Sequence, residues 1–158
     1  MRSQIIVNVV VCILLLNTSC QRHYGTQQID KEQLIMEVEK QVWAFHAADT
    51  SMNAEQLINL LWPEFTMLVD GKYIAYEDVK IGSKEFMASL ESFQSKWNDL
   101  RIIPLGNDHA ISSYIFTDSI VSKNGAITQS MGPNTFVWEN RNGQWKVIYA
   151  DADHYPAE

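Results

Sequence analysis

The apolar positions of this chain change rhythm along its length. After Asp30, Leu34, Val38, Val42 and Phe45 recur at the spacing of one helix face. Asp30 is placed to cap the first turn. His46 falls on or near the buried side, and Trp43 lies beside it. Asn53 followed by Gln56 predicts the start of a second helix, striped by Leu57, Leu60 and Leu61. Trp62-Pro63 ends it, because proline biases the preceding residue away from helix. Phe65 to Val69 then reads as a strand, Asp70-Gly71 as a hairpin turn, and Lys72 to Tyr76 as the return strand. A third helix is predicted from a Ser83 cap, with Phe86, Leu90, Phe93 and Trp97 as its stripe.

From Leu100 the pattern is strand throughout, over 100–105, 109–122, 126–140 and 144–153. Gly106-Asn107-Asp108, Asn124-Gly125 and Asn142-Gly143 punctuate it, and Gly132-Pro133 predicts a bulge or bend. The two Asn-Gly turns predict antiparallel pairing of the last three strands. The expected fold is α+β: a cone-shaped, curved antiparallel sheet packed against three N-terminal helices. Such a cone leaves an internal pocket.

The segment before Asp30 has a different character. Arg2 precedes an apolar run from Ile5 to Leu16, too short to span a bilayer, and small polar residues follow as far as Cys20. This is the layout of an export signal. Asn17-Thr18-Ser19-Cys20 resembles a bacterial lipoprotein signal-peptide site, although Asn17 stands where that family prefers an aliphatic residue. The expected organisation is a signal peptide at 1–19, a tether at 20–29 with lipid on Cys20, and one domain at 30–155. Removing the signal would remove Cys12 and leave Cys20 as the sole cysteine, so no internal disulfide is expected. The implied location is membrane-anchored and periplasm-facing, most simply at the outer membrane. The formal net charge is −7, and loss of Arg2 makes it more negative, which argues against nucleic acid as a partner.

Three features together resemble the nuclear transport factor 2-like superfamily, in its SnoaL-like branch. They are WAFHAADTSMNAEQLINLLWPEFTMLVDG (43–71), TFVWENRNGQWKVIYADAD (135–153) and the element order joining them. The resemblance implies a cone-shaped barrel, often dimeric, with an apolar pocket. Some members are isomerases, cyclases or dehydratases; others bind ligands or serve as assembly domains. Many SnoaL-like relatives carry histidines where this chain has Tyr149 and Asp151, so a mechanism that needs those histidines does not carry over.

The chain's own candidate chemistry is the cluster DADH at 151–154. Strict alternation puts Trp145, Val147, Tyr149, Asp151 and Asp153 on one face of the last strand, with His154 on the other. A carboxylate in an apolar pocket holds its proton toward neutral pH, so Asp151 is the candidate base. Tyr149 and His46 are the candidate hydrogen-bond donors beside it. Ketosteroid isomerase, in the same superfamily, combines an aspartate base with a tyrosine and a protonated aspartic acid. Trp43, Trp62, Phe65, Tyr114, Phe116 and Trp138 are candidate pocket aromatics, with Asp118 and Asp153 as further pocket carboxylates. Asp151, Asp153 and His154 alternate faces and no second cluster is evident, so no metal is expected. No nucleophile motif, phosphate loop or dinucleotide fingerprint occurs, so no cofactor is expected. The leading expectation is a pocket for a small, partly apolar molecule. The alternatives are an isomerase, dehydratase or cyclase using an aspartate base, and a homodimeric assembly domain without catalysis.

Overall fold

A computed structural model describes residues 30–157. The leader, the tether and Cys20 lie outside the described residues. Helix α1 (Lys31–Thr50) is capped by Asp30, whose side chain accepts from the Glu32 amide, and buries Leu34, Val38, Val42 and Ala48. Helix α2 (Ala54–Asn59) is capped by Asn53 through the Gln56 amide. Strands β1 (Leu61–Val69) and β2 (Lys72–Ala75) form the hairpin turning at Asp70-Gly71, both at positive φ. Helix α3 (Tyr76–Ser89) begins earlier than Ser83, with Glu77 and Asp78 in its first turn, where the helix dipole favours acidic groups. Then come β3 (Leu90–Leu105), β4 (His109–Ser122), β5 (Ile127–Arg141), β6 (Gln144–Ala152) and the short β7 (Tyr155–Pro156).

The sheet order is β2-β1-β6-β5-β4-β3, with β7 on β5. The expectation of a wholly antiparallel sheet needs one correction. Strand β1 pairs parallel with β6, so the sheet is mixed. The join starts where the Val147 amide donates to the Leu60 carbonyl at 2.9 Å, directly after α2. The helices pack on the concave face, where Leu34, Val38 and Val42 of α1 join Phe136, Trp138 and Val147 of the sheet in one core.

Residues 90–97 are strand rather than helix, and the reason is instructive. Register shifts fall between Leu90 and Ser92 and between Asn98 and Arg101, where Asp99 takes a φ of 56°. Each extra residue stretches the inward spacing from two to three. The first shift sets Leu90 and Phe93 three apart, and Phe93 to Trp97 is two ordinary inward steps, so the three copied a helical stripe while facing Ser122, Ile120 and Phe116 of β4. Phe86, expected on the same stripe, is exposed, and Met87 is the buried residue of α3.

Of the bulge or bend expected at Gly132-Pro133, the bulge is absent, since β4 and β5 pair without interruption through both residues. Gly132 is needed for another reason. The Asp153 carbonyl packs against it so closely that a Cβ there would collide with that backbone. The irregularity of β5 against β6 lies at Val137/Trp138, whose partners Tyr149 and Val147 leave Ile148 as the extra residue.

Candidate functional site

The extra residue at Ile148 decides which side chains of β6 face inward. Trp145 and Val147 are buried, and after the bulge the buried positions are Ala150 and Ala152. Tyr149 and Asp151 therefore leave the face shared by Trp145 and Val147 and stand on the outer side of the sheet. There the Tyr149 hydroxyl lies 3.5 Å from Asp151 Oδ2, and Asp151 pairs in register with Thr135 and Leu68. The expectation that Asp151 and Tyr149 enter the pocket is corrected by this one-residue shift.

Two adjoining cavities remain between α1 and the concave face, of about 180 and 130 Å³. Both are bordered by Asp49, Met67, Trp97, Tyr114 and Asn134. The larger adds Phe45, Phe65, Phe136 and Ala150, and the smaller adds Ser95, Phe116, Asp118 and His154. Of the residues singled out by sequence, Phe65, Tyr114, Phe116 and Asp118 thus line the cavities.

The other sequence candidates lie elsewhere. Trp138 is fully buried and its Nε1 donates to Ser112 Oγ at 2.8 Å, so it belongs to the solid core. Trp62 donates to the Glu139 carbonyl at 3.1 Å, with Arg141 and Lys146 over its ring. Trp43 is exposed at the surface, donating toward Glu39. Asp153 contributes its backbone to the contact with Gly132. His46 stands behind the cavity wall, its Nε2 3.1 Å from the Ser95 carbonyl and its ring edge-on to Trp97.

Within the cavities a polar chain runs across the wall. Trp97 Nε1 donates to Ser95 Oγ at 2.9 Å, and Ser95 Oγ donates to Asp118 Oδ1 at 2.5 Å. The Trp97 and Tyr114 rings stack at 3.9 Å with 15° between their planes. Asn134 Oδ1 is buried and carries no hydrogen-bond partner among the described residues. Burial raises the Asp118 carboxyl pKa against the lowering pull of Ser95, His154 and His46. Burial, and then the Asp118 charge, push Asp49 up to about 7. Asp49 also occupies the last turn of α1, where the helix dipole disfavours an anion. Tyr114 is raised well above its usual value by burial, then by both carboxylates.

Asp49 is the residue that sequence reasoning missed. Its signal was present: it lies four positions after Phe45, continuing the apolar stripe of α1 with a charge. Asn134 gave no comparable signal, because its importance comes from a lost partner and not from its spacing.

A family model described as the calcium/calmodulin dependent protein kinase II association domain matches residues 50–154. No curated protein matches the chain. A solved structure described as such an association domain, from Xanthomonas campestris, is similar with a TM-score of 0.66 and 23% identity, covering 77% of this chain and 88% of that one. The hub homology domain of a Chlamydomonas reinhardtii homologue is similar with a TM-score of 0.63 and 18% identity, covering 77% and 98%. A dehydratase-type member of the nuclear transport factor 2-like family from Streptomyces avermitilis gives 0.71 and 16%, covering 81% and 100%. At these identities the structures establish the nuclear transport factor 2-like fold, and the match over residues 50–154 places this chain in the calcium/calmodulin dependent protein kinase II association domain family.

Proposed function

We propose that this chain is an exported, lipid-anchored domain whose internal cavity binds a small, partly apolar molecule. The observation that carries this reading is the pair of cavities themselves. Aromatic rings line them, together with two carboxylates of raised pKa and Asn134, whose buried oxygen has no hydrogen-bond partner among the described residues. A cavity kept only as a by-product of curvature would be filled or apolar, since each unsatisfied polar group costs about 1–3 kcal/mol. Export and the lipid anchor rest on the leader sequence and Cys20. The direct test is native mass spectrometry of the full chain, extracted in detergent from its own membranes. A retained small molecule, lost on Trp97→Ala, supports the reading; an empty protein that also binds no aromatic fragment in solution opposes it.

A second reading concerns assembly. The family name and the outer sheet face, with Ile103, Ile115 and Met131 exposed, favour pairing with a second copy. The two readings are compatible, because the assembly face and the cavity lie on opposite sides of the sheet. If the cavity also performs proton transfer, as the dehydratase-type neighbour suggests, Asp49 is the carboxylate in position to act as base, and Asp151 is not.

A further inference from the structure

The fixed charges lining the cavities are of one sign among the described residues. Asp49 and Asp118 accept when ionised, and Asn134 carries both an acceptor oxygen and an amide donor. The Ser95 hydroxyl is committed to Asp118 and the Trp97 indole N–H to Ser95. Tyr114 is the one hydroxyl donor on the shared wall left without an assigned acceptor among the described residues. Among the described residues, neither cavity is lined by a lysine or arginine. His154, at the rim, is held by Asp70, with its Nδ1 3.2 Å from Oδ1. A negatively charged ligand would meet two carboxylates and no fixed positive charge. A cation would meet the Asp49 and Asp118 carboxylates beside aromatic rings.

We propose that the cavity selects a small organic monocation with an apolar or aromatic body. Its charged head would sit between Asp49 and Asp118, and its body would lie against Trp97 and Phe136. This rests on the ligand-binding reading above and adds the chemical class. The size is suitable: about 180 Å³ is available, and an apolar cavity of about 150 Å³ accommodates benzene. Net negative charge over the whole chain steers cations toward it.

The proposal has a pH signature. Asp49 ionises near pH 7, so affinity for a permanently charged cation should rise at least about tenfold between pH 5.5 and 7.5. The titratable groups facing the site are Asp118 and Tyr114 from β4, His46 from α1 itself and His154 after β6; Ser95 and Trp97 from β3 do not titrate in this range. Asp118, whose carboxyl is also raised by burial, acts in the same direction. Asp49→Asn should therefore remove most of the pH dependence and not all of it.

The experiment is calorimetric titration of the full chain in detergent with benzylamine, benzyltrimethylammonium, benzyl alcohol and benzoate. Both cations should bind at least about tenfold tighter than the alcohol or the carboxylate. Asp49→Asn and Asp118→Asn should each weaken the cations at least about tenfold, whereas Asp151→Asn, outside the cavity, should not. Benzoate or benzyl alcohol binding as tightly as benzylamine would overturn the cation class while leaving a ligand cavity in place. Cation binding insensitive to both Asp49 and Asp118 would overturn it as well. If none of the four compounds binds, the ligand-binding reading itself falls.

Discussion

Asp70, in the β1–β2 turn, fixes the start of the segment after β6 by accepting from the His154 backbone amide at 2.8 Å, and its Oδ1 lies 3.2 Å from the His154 ring. Asp70 therefore does more than form a turn, and the DADH cluster is a strand end fastened at its last residue. The His154 amide, then the ring, hold the Asp70 carboxyl below its ordinary value. A depressed carboxyl pKa stabilises the fold above the unfolded value of 3.8, and this is lost as pH falls through the lower folded value. The pair is exposed, so Asp70→Ala should cost only about 1 kcal/mol at pH 7. Urea unfolding of both proteins at pH 7 and pH 2.5 checks this. A difference that persists undiminished at the lower pH would mean the carboxylate is not the cause.

Asp49 acts in the opposite direction. Its pKa is raised from 3.8 to about 7, so the folded state resists ionisation that the unfolded chain undergoes freely. Stability then falls as pH rises from about 4 to about 7 and levels off above that. The full effect is on the order of 4 kcal/mol at most. Asp49→Asn should match the parent near pH 4 and exceed it at pH 8, as read by unfolding at both values. A residue that destabilises its own fold at neutral pH fits a binding site better than a core.

Gly132 bears on how the cavity mouth closes. A methyl group there would strike the Asp153 carbonyl and press on Phe116, which lines the smaller cavity. The obstacle is backbone, which cannot swing away. Gly132→Ala should therefore cost about 2–3 kcal/mol in urea unfolding. It should also release β7, visible as faster amide exchange at Tyr155, whose register partner is Met131. Wild-type stability in the variant would mean that this segment yields easily.

Most of the architecture could be read from the sequence because it depends on local chemistry. The caps at Asp30 and Asn53 and the turns at Asp70-Gly71 and Asn142-Gly143 formed where their residue types demand. The site was harder to read because its side chains depend on bulges. One extra residue at Ile148 turned Asp151 and Tyr149 outward, and the one between Leu90 and Ser92 disguised a strand as a helix. A period-two argument assumes an unbroken ladder, and bulges carry no composition signal here. Asp49 was visible in principle, as a charge continuing the apolar stripe of α1.

Lipid anchoring is tested independently of the fold. Under the proposed lipid anchoring, Cys20→Ser should move the chain from the membrane fraction to the soluble periplasmic fraction, with loss of acyl label. The described fold begins at Asp30, so the melting temperature of the released protein should be unchanged. Retention in the membrane without Cys20 would point to an uncleaved leader as the anchor.

The outer sheet face offers a charge-reversal test of assembly. One row across it reads Arg101, Ser113, Thr135 and Asp151, from β3 to β6. Its ends lie about 14 Å apart at ordinary strand spacing. A two-fold axis through such a row brings Arg101 of one copy toward Asp151 of the other, with Ile115 near the centre. Ile115→Glu should abolish self-association in analytical ultracentrifugation, because it places a charge among apolar contacts. Asp151→Lys should weaken association about tenfold through like-charge repulsion with Arg101, and adding Arg101→Asp should restore it. Rescue requires the two side chains to meet across copies, since within one copy they are too far apart to pair. Failure of the double variant to recover would place the contact elsewhere on the molecule, whatever Ile115→Glu had done.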